Sequence, residues 1–168
     1  MQVPICLFDA KNAVLCPHCE AKLQTGQLTN ADVDASIKIA KLAKTNSEIA
    51  KFSLFSCIRV WGGFVIYLAR SDIQTIRKSR TLYKTLQNEF SEKIWLVESE
   101  ASDRKFIEDL FFPTKILSIN AVWAPGGIQK TKVVVSGKRT PRFPINTDSV
   151  TNIVKELRQL DIIIEFEG

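Results

Sequence analysis

Two apolar runs hinged on a pair of glycines constrain this chain more than any other feature. Phe52 to Val60 and Phe64 to Ala69 are rich in β-branched and aromatic residues and meet at Gly62-Gly63. Such a pair between two strand-forming runs reads as a β-hairpin, because glycine enters the left-handed turn region without steric cost. Helical segments flank it. Upstream, Thr29 is placed to cap a helix with Asp32 at the capping-box position, and Val33, Ile37, Ala40 and Leu42/Ala43 recur every three to four residues to about Lys44. Lys38, Lys41 and Lys44 are expected on its solvated face. Downstream, Ser71-Asp72 opens a short helix over Ile73 to Ile76, which breaks at Arg77-Lys78-Ser79-Arg80. A second helix carries Leu82, Leu86 and Phe90 at four-residue spacing, and Lys93 to Glu98 closes the unit as a strand.

The order then recurs. Ser102-Asp103 starts a helix through Phe106, Ile107 and Leu110 that stops at Pro113. Ile116 to Trp123 and Lys130 to Ser136 read as strands around the turn Pro125-Gly126-Gly127. Gly137 to Pro144 is a basic loop, Thr147-Asp148 caps a helix to about Gln159, and Asp161 to Phe166 is the last strand. Two copies of helix, hairpin, helix and strand, about 65 residues apart, argue for an α+β chain of two small domains. The expected division is a cysteine-bearing head over residues 1–28, a first domain over 29–100 and a second over 101–168. No Gly-, Ser- or Pro-rich linker separates the two domains.

The head carries the metal chemistry. Cys16-Pro17-His18-Cys19 has the spacing of half a zinc knuckle, in which two thiolates converge on one ion. Cys6 adds a third thiolate, and Asp9 stands three residues after Cys6 as Cys19 stands three after Cys16. The candidate ligands of a structural zinc ion are therefore Cys6, Asp9, Cys16 and Cys19. His18 competes for the fourth place and ranks below Asp9, because the middle residues of a knuckle point away from the metal. The competing reading is a set of metal-free buried thiols. A thioredoxin-type redox site is disfavoured, because no βαβ pattern surrounds the cysteines.

With 45% hydrophobic and 24% charged residues the composition is globular, and a net charge of +5 favours an anionic partner. No signal-peptide pattern opens the chain and no run approaches the roughly 20 apolar residues of a membrane span, so a cytoplasmic protein without membrane contact is expected. A positive turn at a helix start, backed by a small sheet, is a place to bind phosphate. Arg77, Lys78, Ser79 and Arg80, with Lys84 in the following helix, are the first candidates. Lys138, Arg139 and Arg142 extend a basic stretch that begins at Lys130 and Lys132 and meets no acid before Asp148. Trp61 and Trp123 are candidate stacking platforms, with core or interface packing as the alternative. Catalysis is not expected. One histidine in the cysteine head assembles no triad, and no phosphate-cradling glycine loop is present.

Pro4-Ile5-Cys6-x-x-Asp9, Leu15-Cys16-Pro17-x-Cys19, Leu28-Thr29-x-x-Asp32-Val33 and Asp103-Arg104-Lys105-Phe106-Ile107-Glu108-Asp109-Leu110-Phe111-Phe112-Pro113 are similar to segments of the archaeal NusA-like proteins. These short relatives of the transcription factor NusA are built from two type II KH domains, and the resemblance spans essentially the whole chain. It implies two KH-like folds, each a three-stranded sheet with helices on one face. It also implies binding of single-stranded RNA in transcription elongation, termination or antitermination, beside RNA polymerase or its associated factors. In a KH domain a Gly-x-x-Gly turn clamps the RNA backbone. Here Arg77 and Arg80 stand where the glycines would be, so side-chain pairing with phosphate is expected to replace backbone approach. The second unit also lacks Gly-x-x-Gly. The alternative is a protein–protein adaptor of the transcription or translation machinery that has lost RNA binding.

Overall fold

In a computed structural model describing residues 1–168, the first hairpin forms where the glycine pair predicts. Strands β1 (Leu54–Val60) and β2 (Gly63–Leu68) pair antiparallel, with Val60 opposite Gly63. Gly62 turns the chain at φ +90°. Gly63 is required for a different reason. A Cβ there would lie 2.0 Å from the Lys93 carbonyl oxygen, because β3 (Lys93–Glu98) runs parallel to β2 starting at that residue. The sheet order is β1-β2-β3.

Three α-helices precede β1. The head folds into α1 (Leu7–Asn12) and α2 (Pro17–Gln24), and α3 (Asn30–Ala43) follows. The capping box at Thr29 and Asp32 is formed in full. Asp32 also reaches across to the sheet: its Oδ1 accepts from Cys57 N at 2.8 Å and Ser56 Oγ at 3.1 Å, while Oδ2 accepts from Thr29 N at 2.9 Å. One buried carboxylate thus joins the start of α3 to the middle of β1. Ala35 and Ile39 of α3 enter the main core, with Cys57, Phe64, Ile66, Leu68, Ile94 and Leu96 from one face of the sheet. Leu54 and Cys57, three apart, both reach that core because a bulge between Leu54 and Ser56 shifts the register.

Lys38 departs from its expected place in solvent. It pairs with Asp34 at 2.9 Å and stands over the rings of Phe64 and Phe90 at 5.7 and 5.0 Å. Its aliphatic stem covers the edge of the core while the ammonium group meets two ring faces.

After β2, α4 (Arg70–Arg77) begins earlier than its sequence suggests. Asp72 caps nothing; its carboxylate accepts from Ser53 N at 2.7 Å, tying the helix to the approach of β1. Helix α5 (Arg80–Phe90) follows after two linking residues, Lys78 and Ser79. Ile73, Ile76, Leu82, Leu86 and Phe90 complete the core. This first unit spans Met1–Glu100, taking the head and residues 29–100 together.

The second unit, Ala101–Gly168, repeats the plan of residues 29–100 with one helix fewer. It consists of α6 (Asp103–Phe111), β4 (Ile116–Ala124), β5 (Ile128–Ser136), α7 (Thr147–Arg158) and β6 (Ile162–Glu167), with sheet order β4-β5-β6. β4 and β5 are antiparallel, β5 and β6 parallel, as in the first sheet. Even the bulge recurs, between Ile116 and Ser118. Val133, Val135, Val150, Ile153, Val154 and Ile162 are buried. Arg158 fastens the end of α7 to the start of α6. Its guanidinium donates to Asp103 Oδ1 at 2.9 Å and Ala101 O at 3.0 Å, and lies 4.5 Å from the Phe106 ring centre. No helix is long and apolar enough to cross a membrane.

Candidate metal centre and nucleic-acid interface

Cys6 and Cys16 hold equivalent places: each is the N-cap of a helix, and Asp9 and Cys19 are the third residues of those helices. N-cap and third-position side chains both project from the first turn toward the helix axis, so the two x-x spacings deliver four donors to one point. Pro17 at the first position of α2 is preset for that turn. The chain reverses between the helices at Ala13, which adopts φ +53°. Ile5, Ala10, Leu28 and Ala40 form a small second core that seats the head on α3, with Cys19 among them.

The ligating atoms of Cys6, Asp9, Cys16 and Cys19 all lie within 4.8 Å of one another. Cys19 Sγ is 3.4 Å and Cys16 Sγ 3.9 Å from Cys6 Sγ. A tetrahedral ion with metal–sulfur bonds of about 2.3 Å spaces its thiolates by about 3.8 Å, so these separations fit one ion at the centre. All three cysteines are free. Backbone N–H groups already point at the donors: Cys6 N donates to Cys19 Sγ at 3.3 Å, Cys19 N to Cys16 Sγ at 3.5 Å and Cys16 N to Asp9 Oδ2 at 3.0 Å. Such donors favour the charged form of each ligand. His18 is exposed and stands outside the cluster.

The electrostatics differ among the donors. The Cys16 N–H holds the Asp9 carboxyl below the usual carboxylate range. Burial pushes the Cys19 thiol up to about 12, against the Cys6 N–H that favours its thiolate. Three thiolates and a carboxylate cannot all carry charge at this spacing without a metal ion to offset their repulsion. The residues present can hold a metal ion, in a closed four-ligand arrangement that suits a structural role. Cys57 differs. It is buried in the main core, burial pushes its thiol to about 12, and it joins no group of three or more ligand-bearing side chains.

The basic turn proves tighter than a four-residue loop. Arg77 is the last residue of α4 and Arg80 the first of α5, so only Lys78 and Ser79 link the helices. Ser79 Oγ accepts from Leu82 N at 3.2 Å, which commits it to capping α5. Lys78, Arg80 and Lys84 are exposed, and Arg77 is half-exposed. Arg80 and Lys84, four apart, share one face of a helix whose first turn holds no acid.

In the second unit, Lys138, Arg139 and Arg142 all fall in the irregular segment between β5 and α7. Lys138 and Arg142 line a cleft of about 510 Å³, whereas Arg139 lies over the Phe166 ring at 5.3 Å. Lys115 and Phe143 line the same cleft. Neither stands out in the sequence, because the β4–β5 pairing and an aromatic contact bring them there. Lys132 forms an ion pair with Glu165 at 3.1 Å. Trp61 and Trp123, each at a hairpin tip, are 78% and 72% exposed, which excludes a core role for both.

No family model matches the sequence, and no curated protein matches it. Among solved structures, similarity extends to one titled "Crystal structure of APE1850", with 16% identity and a TM-score of 0.45. The match covers 77% of this chain and 95% of that one.

Proposed function

We propose that this chain is a non-catalytic, single-stranded RNA-binding protein of the NusA-like type, built on two KH-like units and stiffened by a zinc ion in its head. The observation that carries the RNA reading is the α4–α5 turn. It presents Lys78, Arg80 and Lys84 to solvent at the positive end of an eleven-residue helix free of acid in its first turn. The α-β-β-α-α-β order of residues 29–98 supports a KH-like unit, since the turn joins the same two helices that the Gly-x-x-Gly motif joins in that fold. With arginine in place of glycine, phosphates are gripped by side chains, which favours affinity over base readout. RNA binding and the resemblance together point to transcription elongation, termination or antitermination, alongside RNA polymerase or its associated factors.

Zinc is the metal the donors favour. Three sulfurs and one carboxylate at tetrahedral spacing suit a borderline-soft divalent ion, while magnesium and calcium take oxygen shells. One zinc per chain under native mass spectrometry, lost in Cys16→Ser, is the expected result.

The exposed Trp61 and Trp123 favour a second reading, an adaptor that docks on a protein partner. Fluorescence anisotropy with a short single-stranded RNA decides between the two. The Lys78→Ala/Arg80→Ala/Lys84→Ala variant should bind at least about tenfold more weakly than wild type at low salt. Equal affinity in the two proteins would overturn the role given to the turn, and no binding by wild type would favour the adaptor.

A further inference from the structure

Between Asp109 and Asp148 the chain contains no acidic residue and six lysines or arginines. Lys132 is neutralised by Glu165, and Arg139 is turned onto Phe166. Lys115, Lys138 and Arg142 instead converge on the cleft of about 510 Å³. None of the three takes part in an ion pair.

The cleft has fixed walls. Ser136 N donates to Lys115 O at 3.0 Å, and Gly137 N donates to Glu167 O at 3.0 Å, so the ends of β5 and β6 hold its floor. Phe143 is locked edge-on against Phe166, at 4.8 Å between ring centres and 82° between planes. Gly137 adopts φ +128°, and a Cβ there would sit 3.2 Å from the Phe143 ring. Glycine at this position lets the ring lie directly on the backbone. Cations alone would describe a solvated surface. Three unpaired cations around an open cleft with an aromatic wall describe a site for an anion attached to a ring, and the volume falls within the range of small-ligand pockets.

We propose that this cleft binds one phosphorylated nucleotide unit, its phosphate held by Lys115, Lys138 and Arg142 and its sugar or base against Phe143. The inference rests on, and deepens, the RNA-binding reading. A nucleotide of an RNA strand and a free nucleoside monophosphate offer the same chemistry, and the experiment separates them.

Amide chemical shifts of the full chain would be followed while adding adenosine 5′-monophosphate, inorganic phosphate and a single-stranded RNA octamer in turn. The monophosphate should move the resonances of Gly137, Lys138 and Phe143, and bind more tightly than inorganic phosphate. The octamer should move the same resonances. In Lys115→Ala/Arg142→Ala these shifts should vanish, and octamer affinity should fall about tenfold. Phe143→Leu, which keeps an apolar side chain, should reduce the preference for the monophosphate over phosphate.

If the monophosphate binds there and the octamer binds nowhere on the chain, the cleft is a free-nucleotide site: the inference stands and the RNA reading fails. If the octamer binds elsewhere, with cleft resonances still under both nucleotides, the inference is overturned and the RNA reading survives. Inorganic phosphate binding as tightly as the monophosphate would overturn the part given to Phe143. Should the double variant fail to fold, the wild-type shift map decides the matter by itself.

Discussion

Proton release is the most specific prediction of the metal centre. The site that could hold the ion offers three thiol groups and one carboxylate, from Cys6, Cys16, Cys19 and Asp9. A cysteine thiol ordinarily keeps its proton at neutral pH, and burial pushes that of Cys19 further up, to about 12. Asp9 contributes no proton at neutral pH, because its carboxyl is held below the usual range by the Cys16 N–H. Metal binding must therefore displace about three protons, and the logarithm of the apparent affinity should rise by about 3 per pH unit. Between pH 7 and pH 6 the affinity should fall about a thousandfold. Competition with a chromophoric zinc chelator at several pH values, under reducing conditions, measures this slope. Cys16→Ser should lower the slope to about 2, whereas Asp9→Asn should weaken binding and leave the slope near 3. A wild-type slope of about 1 or less, or a slope unchanged in Cys16→Ser, would refute a site built on three thiolates.

Three further predictions concern the scaffold, each measured by urea unfolding. Thr29→Ala should cost about 1 kcal/mol, the usual loss of an N-cap, and Asp32→Ala clearly more, because three donors lose the acceptor that joins α3 to β1. Equal losses would contradict the joining role of Asp32. Gly63→Ala should destabilise by about 2 kcal/mol or more, since its Cβ would meet the Lys93 carbonyl at 2.0 Å. Gly62→Ala, at φ +90° with nothing within 4 Å, should cost only the backbone strain of about 1–2 kcal/mol. Asp72 has a carboxyl raised by burial, so its folded-state pKa lies above that of the unfolded chain. Its charged form therefore detracts from stability, which should be recovered as pH falls through the raised value. Asp72→Asn should preserve the bond to Ser53 N and remove this pH dependence, while Asp72→Ala should cost about 1–3 kcal/mol.

How far the fold could be read depended on whether a residue type announces its local geometry. Glycine pairs mark the hairpins and Thr29-x-x-Asp32 marks the start of α3, because those conformations need those residues. The bulges at Leu54–Ser56 and Ile116–Ser118 leave no such mark, since any residue tolerates them. Asp72 misleads as a helix start because its oxygen is engaged by Ser53, nineteen residues earlier. The convergence of Cys6, Asp9, Cys16 and Cys19 was legible from spacing alone. That Cys6 and Cys16 are helix caps was signalled only by Pro17. Arg139 reads as an RNA contact from its charge, whereas the Phe166 ring that β6 brings under its guanidinium leaves no mark in the local sequence. Lys115 passes as an ordinary surface lysine until strand pairing sets it beside the 137–144 loop. Local chemistry is written in the sequence, whereas partners supplied by tertiary pairing are not.

The salt dependence of RNA binding tests the central claim most directly. Each phosphate contact with a single strand contributes a slope of about −0.7 in log affinity against log salt. Lys78, Arg80 and Lys84 at the α4–α5 turn together predict about −2, and the cleft cations add to it. Replacing the three turn residues with alanine should make the wild-type slope shallower by about 2. A wild-type slope near zero, or one that the substitutions leave unchanged, would contradict electrostatic capture of RNA by this turn.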